Sequence, residues 1–302
     1  GSTNGWIPIE DDTVTDAPVP LNEGIFGFGY TDSSVSMTNL VSNTGVVAED
    51  TTGVGTARAY LAATQYGGDK GIFGFGENGG RVSMTNLVSN AGVVATDTTG
   101  VGTARKQLAA CSYGEDKGIF GYGESGGYDS MTNLVSNTGV VSTDVTGVGT
   151  GRRYLAACEY GNDKAIFGFG DDGSVTGVTN LVSNSGVVAT DVTAVGTARQ
   201  YLAACSYGED KGIFVFGNDG SACDITNLVS NAGVVASDVT GVGTAKERLA
   251  ACEYGDDKAI FGFGNDGSVT AVTNLVSNAG VVASDVTGVG TARQGLAACS
   301  FK

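Results

Sequence analysis

The chain has 302 residues, of which 32 are acidic, 16 are basic and none is histidine, so its formal net charge is −16 at pH 7. A surface this acidic repels phosphate backbones and anionic lipids, and we expect neither nucleic acid nor a membrane as a partner. The lack of histidine removes the commonest general base and metal ligand. We therefore predict that the protein is not an enzyme and uses no cofactor or metal ion.

The composition favours short strands joined by tight turns. Glycine accounts for 50 residues and proline for only 3, and Val, Thr and aromatic residues are common. No apolar run is long enough to cross a bilayer, and the start of the chain has no signal-peptide pattern. We predict an all-β protein.

Residues 1–22 differ from the rest of the chain. They contain the only tryptophan, Trp6, which is followed by an Ile-Pro-Ile run and an acidic triplet. We predict an extended arm or linker that packs on the folded domain or joins it to an upstream domain or assembly partner.

Residues 23–302 consist of six copies of one unit with a period of 47 residues. A repeat of this length predicts a propeller, a solenoid or an array. The isoleucine of the Ile-Phe-Gly motif marks the copies, and it occurs at Ile25, Ile72, Ile119, Ile166, Ile213 and Ile260.

Each copy contains four strand-length runs separated by turn signals, which in the fourth copy are residues 164–170, 175–183, 186–192 and 197–207. Four antiparallel strands form one propeller blade. The first copy lacks the innermost strand, and the chain ends on such a strand, so we predict a six-bladed β-propeller closed by pairing of the C-terminal strand with the first repeat strand. A parallel β-solenoid is the alternative.

The Thr-Ala-Arg strand, the hairpin after it and the Lys-Ala-Ile-Phe-Gly-Phe-Gly strand resemble the kelch repeat over residues 24–302. The resemblance implies a kelch-like propeller. The repeat is also similar to repeats in structural proteins of environmental bacteriophages, which implies a soluble protein of virion-associated or extracellular location.

Five of the six cysteines occupy one repeat position. Equivalent positions around a ring lie too far apart for a disulfide, so we predict six free thiols, most of them small core residues. The five are Cys111, Cys158, Cys205, Cys252 and Cys299, and Cys223 stands alone.

Two other repeat positions carry charge in every copy. Six cations at the head of six inner strands could surround one mouth of a channel and attract an anion, or each could pair with a neighbouring aspartate and cap carbonyls between blades. The acids could contact cations, but we expect them to bond nearby backbone N–H groups as in Asx turns. The cations are Arg58, Arg105, Arg152, Arg199, Lys246 and Arg293, and the acids are Asp50, Asp97, Asp144, Asp191, Asp238 and Asp285.

The copies differ mainly at two patches, one directly after the Arg position and one after Gly-Phe-Gly. In an up-and-down blade both patches lie on one face, and Tyr, Arg and Gln there suit recognition of a glycan or a protein. We expect a monomeric binding module, and the alternatives are neutral drift of exposed positions or a structural part of a virion or appendage. The predicted ligand-binding residues are Tyr60, Gln107, Tyr154, Tyr201 and Arg248, with Arg58, Arg105, Arg152, Arg199 and Arg293.

Overall fold

The computed structural model describes residues 22–193 and 195–302, and these residues form eighteen strands and no helix. The chain is therefore all-β, as predicted. No helix in the part of the chain that is described is long and apolar enough to cross a membrane.

The strands are β1 (Glu23–Tyr30), β2 (Ser34–Val41), β3 (Ala62–Tyr66), β4 (Lys70–Gly74), β5 (Thr85–Val88), β6 (Ala109–Tyr113), β7 (Lys117–Glu124), β8 (Tyr128–Val135), β9 (Ala156–Tyr160), β10 (Lys164–Gly168), β11 (Thr179–Val182), β12 (Ala203–Tyr207), β13 (Lys211–Asn218), β14 (Ala222–Val229), β15 (Ala250–Tyr254), β16 (Lys258–Gly262), β17 (Thr273–Val276) and β18 (Ala297–Phe301). They form six antiparallel sheets of three strands, in the orders β18-β1-β2, β3-β4-β5, β6-β7-β8, β9-β10-β11, β12-β13-β14 and β15-β16-β17.

The sheet β18-β1-β2 joins the two ends of the repeat region. Its register places Ile25 opposite Cys299 and Phe26 opposite Ala298. The predicted pairing of the C-terminal strand with the first repeat strand is confirmed. Neither strand is left with an open edge on that side.

The first strands of the sheets, which all begin with Ala-Ala, contact one another in a cyclic order. We call β3, β6, β9, β12, β15 and β18 the Ala-Ala strands. Each contacts the next one along the chain, and β18 contacts β3. The small alanine side chains allow six strands to come this close together.

The core lies between consecutive sheets. Ile119 and Phe120 of a middle strand are completely buried. Tyr122 of the same strand packs on Phe167 of the next sheet with ring centroids 5.1 Å apart. Aromatic pairs at this spacing add to the stability gained from apolar burial.

The glycines of the Gly-Phe-Gly motif make this packing possible. A β-carbon at Gly121 would lie 2.7 Å from the ring of Phe167, so only glycine allows the two sheets to approach this closely. Tyr122 follows in a left-handed conformation, φ 64°, at a shift of register between Gly121 and Gly123. Glycine at these positions therefore allows the close packing of neighbouring sheets.

The predicted outer strand, residues 186–192 in the fourth copy, is not formed as a continuous strand. Residues 186–192 bridge β11 only at Val188 and Val192. Between these bridges the Ala189 N–H donates to the Leu181 carbonyl, but the carbonyl of Ala189 accepts from the side-chain amide of Asn180 and not from the backbone of β11. The sheets therefore have three strands where four were predicted.

All six cysteines are free and buried, as predicted. Burial raises the pKa of the Cys158 thiol to about 12. Such a thiol stays protonated and unreactive at neutral pH.

The predicted arm lies outside the described residues except for Asn22. The backbone N–H of Asn22 donates to the carboxylate of Asp256 at 2.8 Å, which fixes where the chain enters the first sheet.

Candidate ligand-binding site

One residue from each copy enters a cyclic set of backbone hydrogen bonds just before the Ala-Ala strands. Each N–H donates to the carbonyl of its counterpart in the preceding copy at 2.7–2.9 Å, and the N–H of Tyr60 donates to the carbonyl of Gly295, which completes the cycle. All six have a left-handed backbone, with φ between 53° and 60°. We call them the six-residue ring, and they are Tyr60, Gln107, Tyr154, Tyr201, Arg248 and Gly295.

The ring holds strained backbone conformations at variable positions. A side-chain-bearing residue costs about 1–2 kcal/mol in the left-handed region. Such strain persists where the surrounding structure imposes it, and it is common at binding sites. Here the cyclic hydrogen bonds impose it, and the six positions keep the same backbone conformation whether the residue is Tyr, Gln, Arg or Gly.

The side chains of the ring surround a cavity of about 80 Å³, whose floor is the leucine that follows each ring residue. The rings of Tyr154 and Tyr201 lie 4.0 Å apart, and the Arg248 guanidinium lies 4.5 Å from the centre of the Tyr201 ring. A β-carbon at Gly295 would lie 3.0 Å from the aromatic ring of Tyr60, so glycine at this position leaves room for the Tyr60 side chain.

Two polar groups of the cavity have no partner among the described residues. They are Oε1 of Gln107, a residue only 8% exposed, and Nε of Arg248. The other guanidinium nitrogens of Arg248 are held by Gln294, at 3.2 Å, and Glu247, at 3.5 Å. Buried polar groups are normally satisfied, so one free acceptor and one free donor leave unused hydrogen-bonding capacity in the lining of this cavity.

The phenols of Tyr60 and Tyr154 stay neutral. Burial raises the pKa of Tyr60 and, more strongly, that of Tyr154. At physiological pH both hydroxyls are therefore hydrogen-bond donors as well as acceptors.

The second variable patch adjoins the ring, as predicted. The backbone of Arg153, on the first patch, forms an antiparallel β-bridge with that of Asp171, on the second. The Arg153 guanidinium lies 5.2 Å from the centre of the Tyr128 ring and 5.0 Å from that of the Tyr154 ring. The same guanidinium forms ion pairs with Glu124 at 2.9 Å and Asp171 at 3.1 Å.

Other cations near the ring are also paired. Lys106 forms an ion pair with Glu77, and Arg81 forms one with Glu124. The rim therefore carries many charges and little uncompensated positive charge.

The repeated arginines do not reach a channel mouth. The side chain of Arg58 is completely buried; its guanidinium lies 4.3 Å from the centre of the Phe28 ring, and its Nε donates to the Phe75 carbonyl at 2.9 Å. Burial lowers its pKa to about 10 despite Asp97 at 4.0 Å. The prediction that these residues bind a ligand is wrong, because each guanidinium is sealed between sheets. The correction applies to Arg58, Arg105, Arg152, Arg199 and Arg293, and Lys246 is buried in the same way.

The repeated aspartates join consecutive copies. Asp97 accepts bonds from the backbone N–H of Thr56 at 3.0 Å, from its hydroxyl at 2.6 Å and from the Asn86 amide at 2.9 Å. Thr56 lies 41 residues earlier, so these are not the local Asx turns that were predicted. Asp50 makes the same contacts with Thr291 and so joins the last copy to the first.

Sequence reasoning missed a second cavity, of about 60 Å³, between the far ends of the Ala-Ala strands. At one repeat position that lines this cavity, long side chains (Gln or Glu) alternate with serine from copy to copy. This alternation is visible in the sequence and could have indicated the cavity. The lining residues at that position are Gln65, Ser112, Glu159, Ser206, Glu253 and Ser300.

Burial raises the pKa of both acids in this second cavity, Glu159 to about 7 and Glu253 to about 8. Ser112 donates a hydrogen bond to the Glu159 carboxylate. Within the described residues, no group of three or more cysteines and acids is placed to hold a metal ion.

No protein-family model matches this chain, and no curated protein matches it.

Proposed function

We propose that the chain is a six-bladed, kelch-like propeller that works as a non-enzymatic binding module, with its ligand at the six-residue ring. The cyclic contacts of the Ala-Ala strands, the pairing of β18 with β1 and the bond from Asp50 to Thr291 all support the closed arrangement. Closure removes the long sheet edges that an open stack would leave exposed.

One observation carries the binding function. The six copies are nearly identical, yet the ring position holds three tyrosines, a glutamine, an arginine and a glycine around one cavity. A purely structural role would be met by one residue type in all six copies. Preformed cavities with a few convergent polar groups are typical of ligand sites.

The ligand is a glycan or a protein at the surface of a host or a neighbouring particle, and the module acts as a monomer. The resemblance of the repeat to those of bacteriophage structural proteins is in keeping with such a role. The rim of tyrosine and arginine combines contact area with hydrogen bonding.

Screening on glycan and host-surface protein panels tests the function, with Tyr154 and Tyr201 both changed to Ala. The double variant removes the stacked pair and should lower affinity for the bound ligand at least tenfold. Val140→Ala, an exposed change away from the ring, is the control and should bind as the native protein does. Equal binding by the double variant and the native protein would exclude the ring as the site.

A second candidate function is a structural part of a larger assembly. One valine per copy is 64–65% exposed at the turn that precedes the outer bridges, so six apolar side chains repeat around the molecule. Repeated apolar contacts suit packing against symmetric neighbours. The six are Val46, Val93, Val140, Val187, Val234 and Val281.

Sedimentation separates the two functions. A structural part should form concentration-dependent oligomers that Val187→Asp and Val234→Asp together abolish. A binding module should remain monomeric with and without these changes.

A further inference from the structure

We infer that the ligand of the six-residue ring is a neutral saccharide, whose terminal sugar enters the cavity edgewise. This inference rests on the proposed binding function and adds to it the chemical class of the ligand. It is carried by the unmatched polar groups, their placement and the charge balance around them.

The unmatched groups define what the ligand must offer. Gln107 Oε1 lacks a hydrogen-bond donor, and Arg248 Nε–H lacks an acceptor. Both atoms are covered in the ligand-free protein, so the two side chains must turn towards the cavity when a ligand binds. A sugar hydroxyl is both donor and acceptor, so one polyhydroxylated ring satisfies both groups.

The two groups lie on opposite sides of the cavity. In the cyclic hydrogen-bond order, Tyr154 and Tyr201 separate Gln107 from Arg248 on one side, and Tyr60 and Gly295 separate them on the other. A ligand must therefore carry polar groups on two opposite edges. A pyranose carries hydroxyls around its whole perimeter, whereas a single carboxylate or ammonium group presents one kind of polar atom on one side.

The aromatic residues suit the faces of such a ring. Tyr154 and Tyr201 contact each other and the guanidiniums of Arg153 and Arg248, so they offer ring edges to the cavity. The ring of Tyr60 can face the C–H groups of a sugar, and the neutral hydroxyls of Tyr60 and Tyr154 add donors beside it. The cavity of about 80 Å³ admits an edge of one sugar, and the remainder of a glycan would lie towards the more exposed Tyr128, which is 43% exposed.

The charge balance favours a neutral ligand. Arg248 is countered by Glu247, Arg153 by Glu124 and Asp171, and Lys106 by Glu77. An anionic ligand would have to displace one of these acids or lie against it. A sialylated or sulfated glycan is therefore expected to bind more weakly than its neutral counterpart.

The experiment measures binding of glucose, galactose, mannose, N-acetylglucosamine, their short oligosaccharides and sialyllactose by saturation-transfer NMR and calorimetry. Gln107→Leu removes the unmatched acceptor at similar size and should lower affinity for the bound neutral sugar at least tenfold. Gln107→Glu restores an acceptor and should recover part of that loss. Gln65→Leu changes the same residue type in the second cavity and should leave affinity unchanged.

A thermal melt without ligand distinguishes lost recognition from lost folding. Gln107→Leu removes a buried acceptor that has no partner, so the apo variant should melt at or above the native temperature while it binds sugar less well. A lower melting temperature together with weaker binding would assign Gln107 a structural role and overturn the inference.

The remaining outcomes separate this inference from the proposed function. Stronger binding of sialyllactose than of lactose, or sugar binding that Gln107→Leu does not change, would overturn the inference. A panel in which only a protein binds, with that binding lost in the Tyr154 and Tyr201 double variant, would overturn the saccharide and retain the binding module. Binding to neither panel would overturn both.

Discussion

Changing Glu159 to Gln should make the protein more stable at alkaline pH and leave its stability at acidic pH unchanged. Glu159 lines the second cavity with Glu253, and the chain already has a glutamine, Gln65, at the equivalent position. The substitution therefore keeps the size and the hydrogen-bonding capacity of the side chain and removes only its charge.

The sign and size of the effect follow from the pKa of Glu159, which burial raises from 4.5 to about 7. The folded protein holds this proton more tightly than the unfolded chain, so the contribution to stability is complete below pH 4.5 and is lost as the pH rises through 7. One pKa unit corresponds to about 1.4 kcal/mol. The free energy of unfolding of the variant should exceed that of the native protein by about 3 kcal/mol at pH 9.

Urea denaturation of both proteins at intervals from pH 4.5 to 9 measures this difference. Other titrating groups cancel in the comparison except Glu253, whose pKa is raised by burial and partly by the charge of Glu159, so removal of that charge adds to the gain in stability at alkaline pH. Glu253→Gln should likewise raise the free energy of unfolding at alkaline pH, and its advantage over the native protein should develop around pH 8, where the raised pKa of Glu253 lies. Gln65→Glu adds a third acid to the cavity and should lower stability above pH 7.

If the free energies of unfolding of the native protein and Glu159→Gln differed by the same amount at every pH in this range, the reasoning would be refuted. It would mean that the carboxylate is as well solvated in the folded protein as in the unfolded chain. A gain that appeared only below pH 5 would have the wrong sign and would refute it as well.

Three further predictions concern the contacts between copies. Asp50→Ala and Asp191→Ala remove equivalent hydrogen bonds between copies, and each should lower the free energy of unfolding by about 1–3 kcal/mol in urea denaturation. A clearly smaller loss for Asp50→Ala would show that the last and first copies are not joined as the other copies are. Arg199→Lys should lower the free energy of unfolding by less than about 1 kcal/mol, because Lys246 fills the equivalent buried position. Arg199→Ala should lower it by about 3 kcal/mol or more in the same urea denaturation. Equal losses in the two variants would show that a buried cation is unimportant at this position. Deleting residues 297–302 should expose the edge of β1 and produce aggregation in light scattering, and a deletion variant that stays monomeric with an unchanged melting temperature would contradict this.

Much of the fold could be predicted because the signals are local and repeated six times. The hairpin with Tyr207 opposite Lys211 was predicted from its turn residues, and it forms as expected. The outer strand, residues 186–192, was predicted from its length and the turn signals around it, but the Asn180 side chain takes the Ala189 carbonyl and only isolated bridges form at Val188 and Val192. A side chain that competes with the backbone is not visible in strand propensity.

The candidate site was predicted in part. Variation between copies identified Tyr60, Tyr154 and Arg248, which meet at one cavity. It could not reveal that Gln107 Oε1 lacks a partner, since that depends on every neighbouring atom. The second cavity was missed, because an alternation of long and short residues has no meaning until the strands that carry it converge.

The sequence by itself determined the period, the all-β class, the free thiols and the pairing of the two ends of the repeat region, because these depend on the spacing of the repeats and on local chemistry. The tertiary structure alone decided which charged residues are accessible. Arg58 looks like a surface cation in the sequence, yet it is sealed against Phe28, and Asp97 reaches Thr56 in the preceding copy. These contacts join residues 30 and 41 positions apart, and they exist only once neighbouring sheets pack face to face and exclude water.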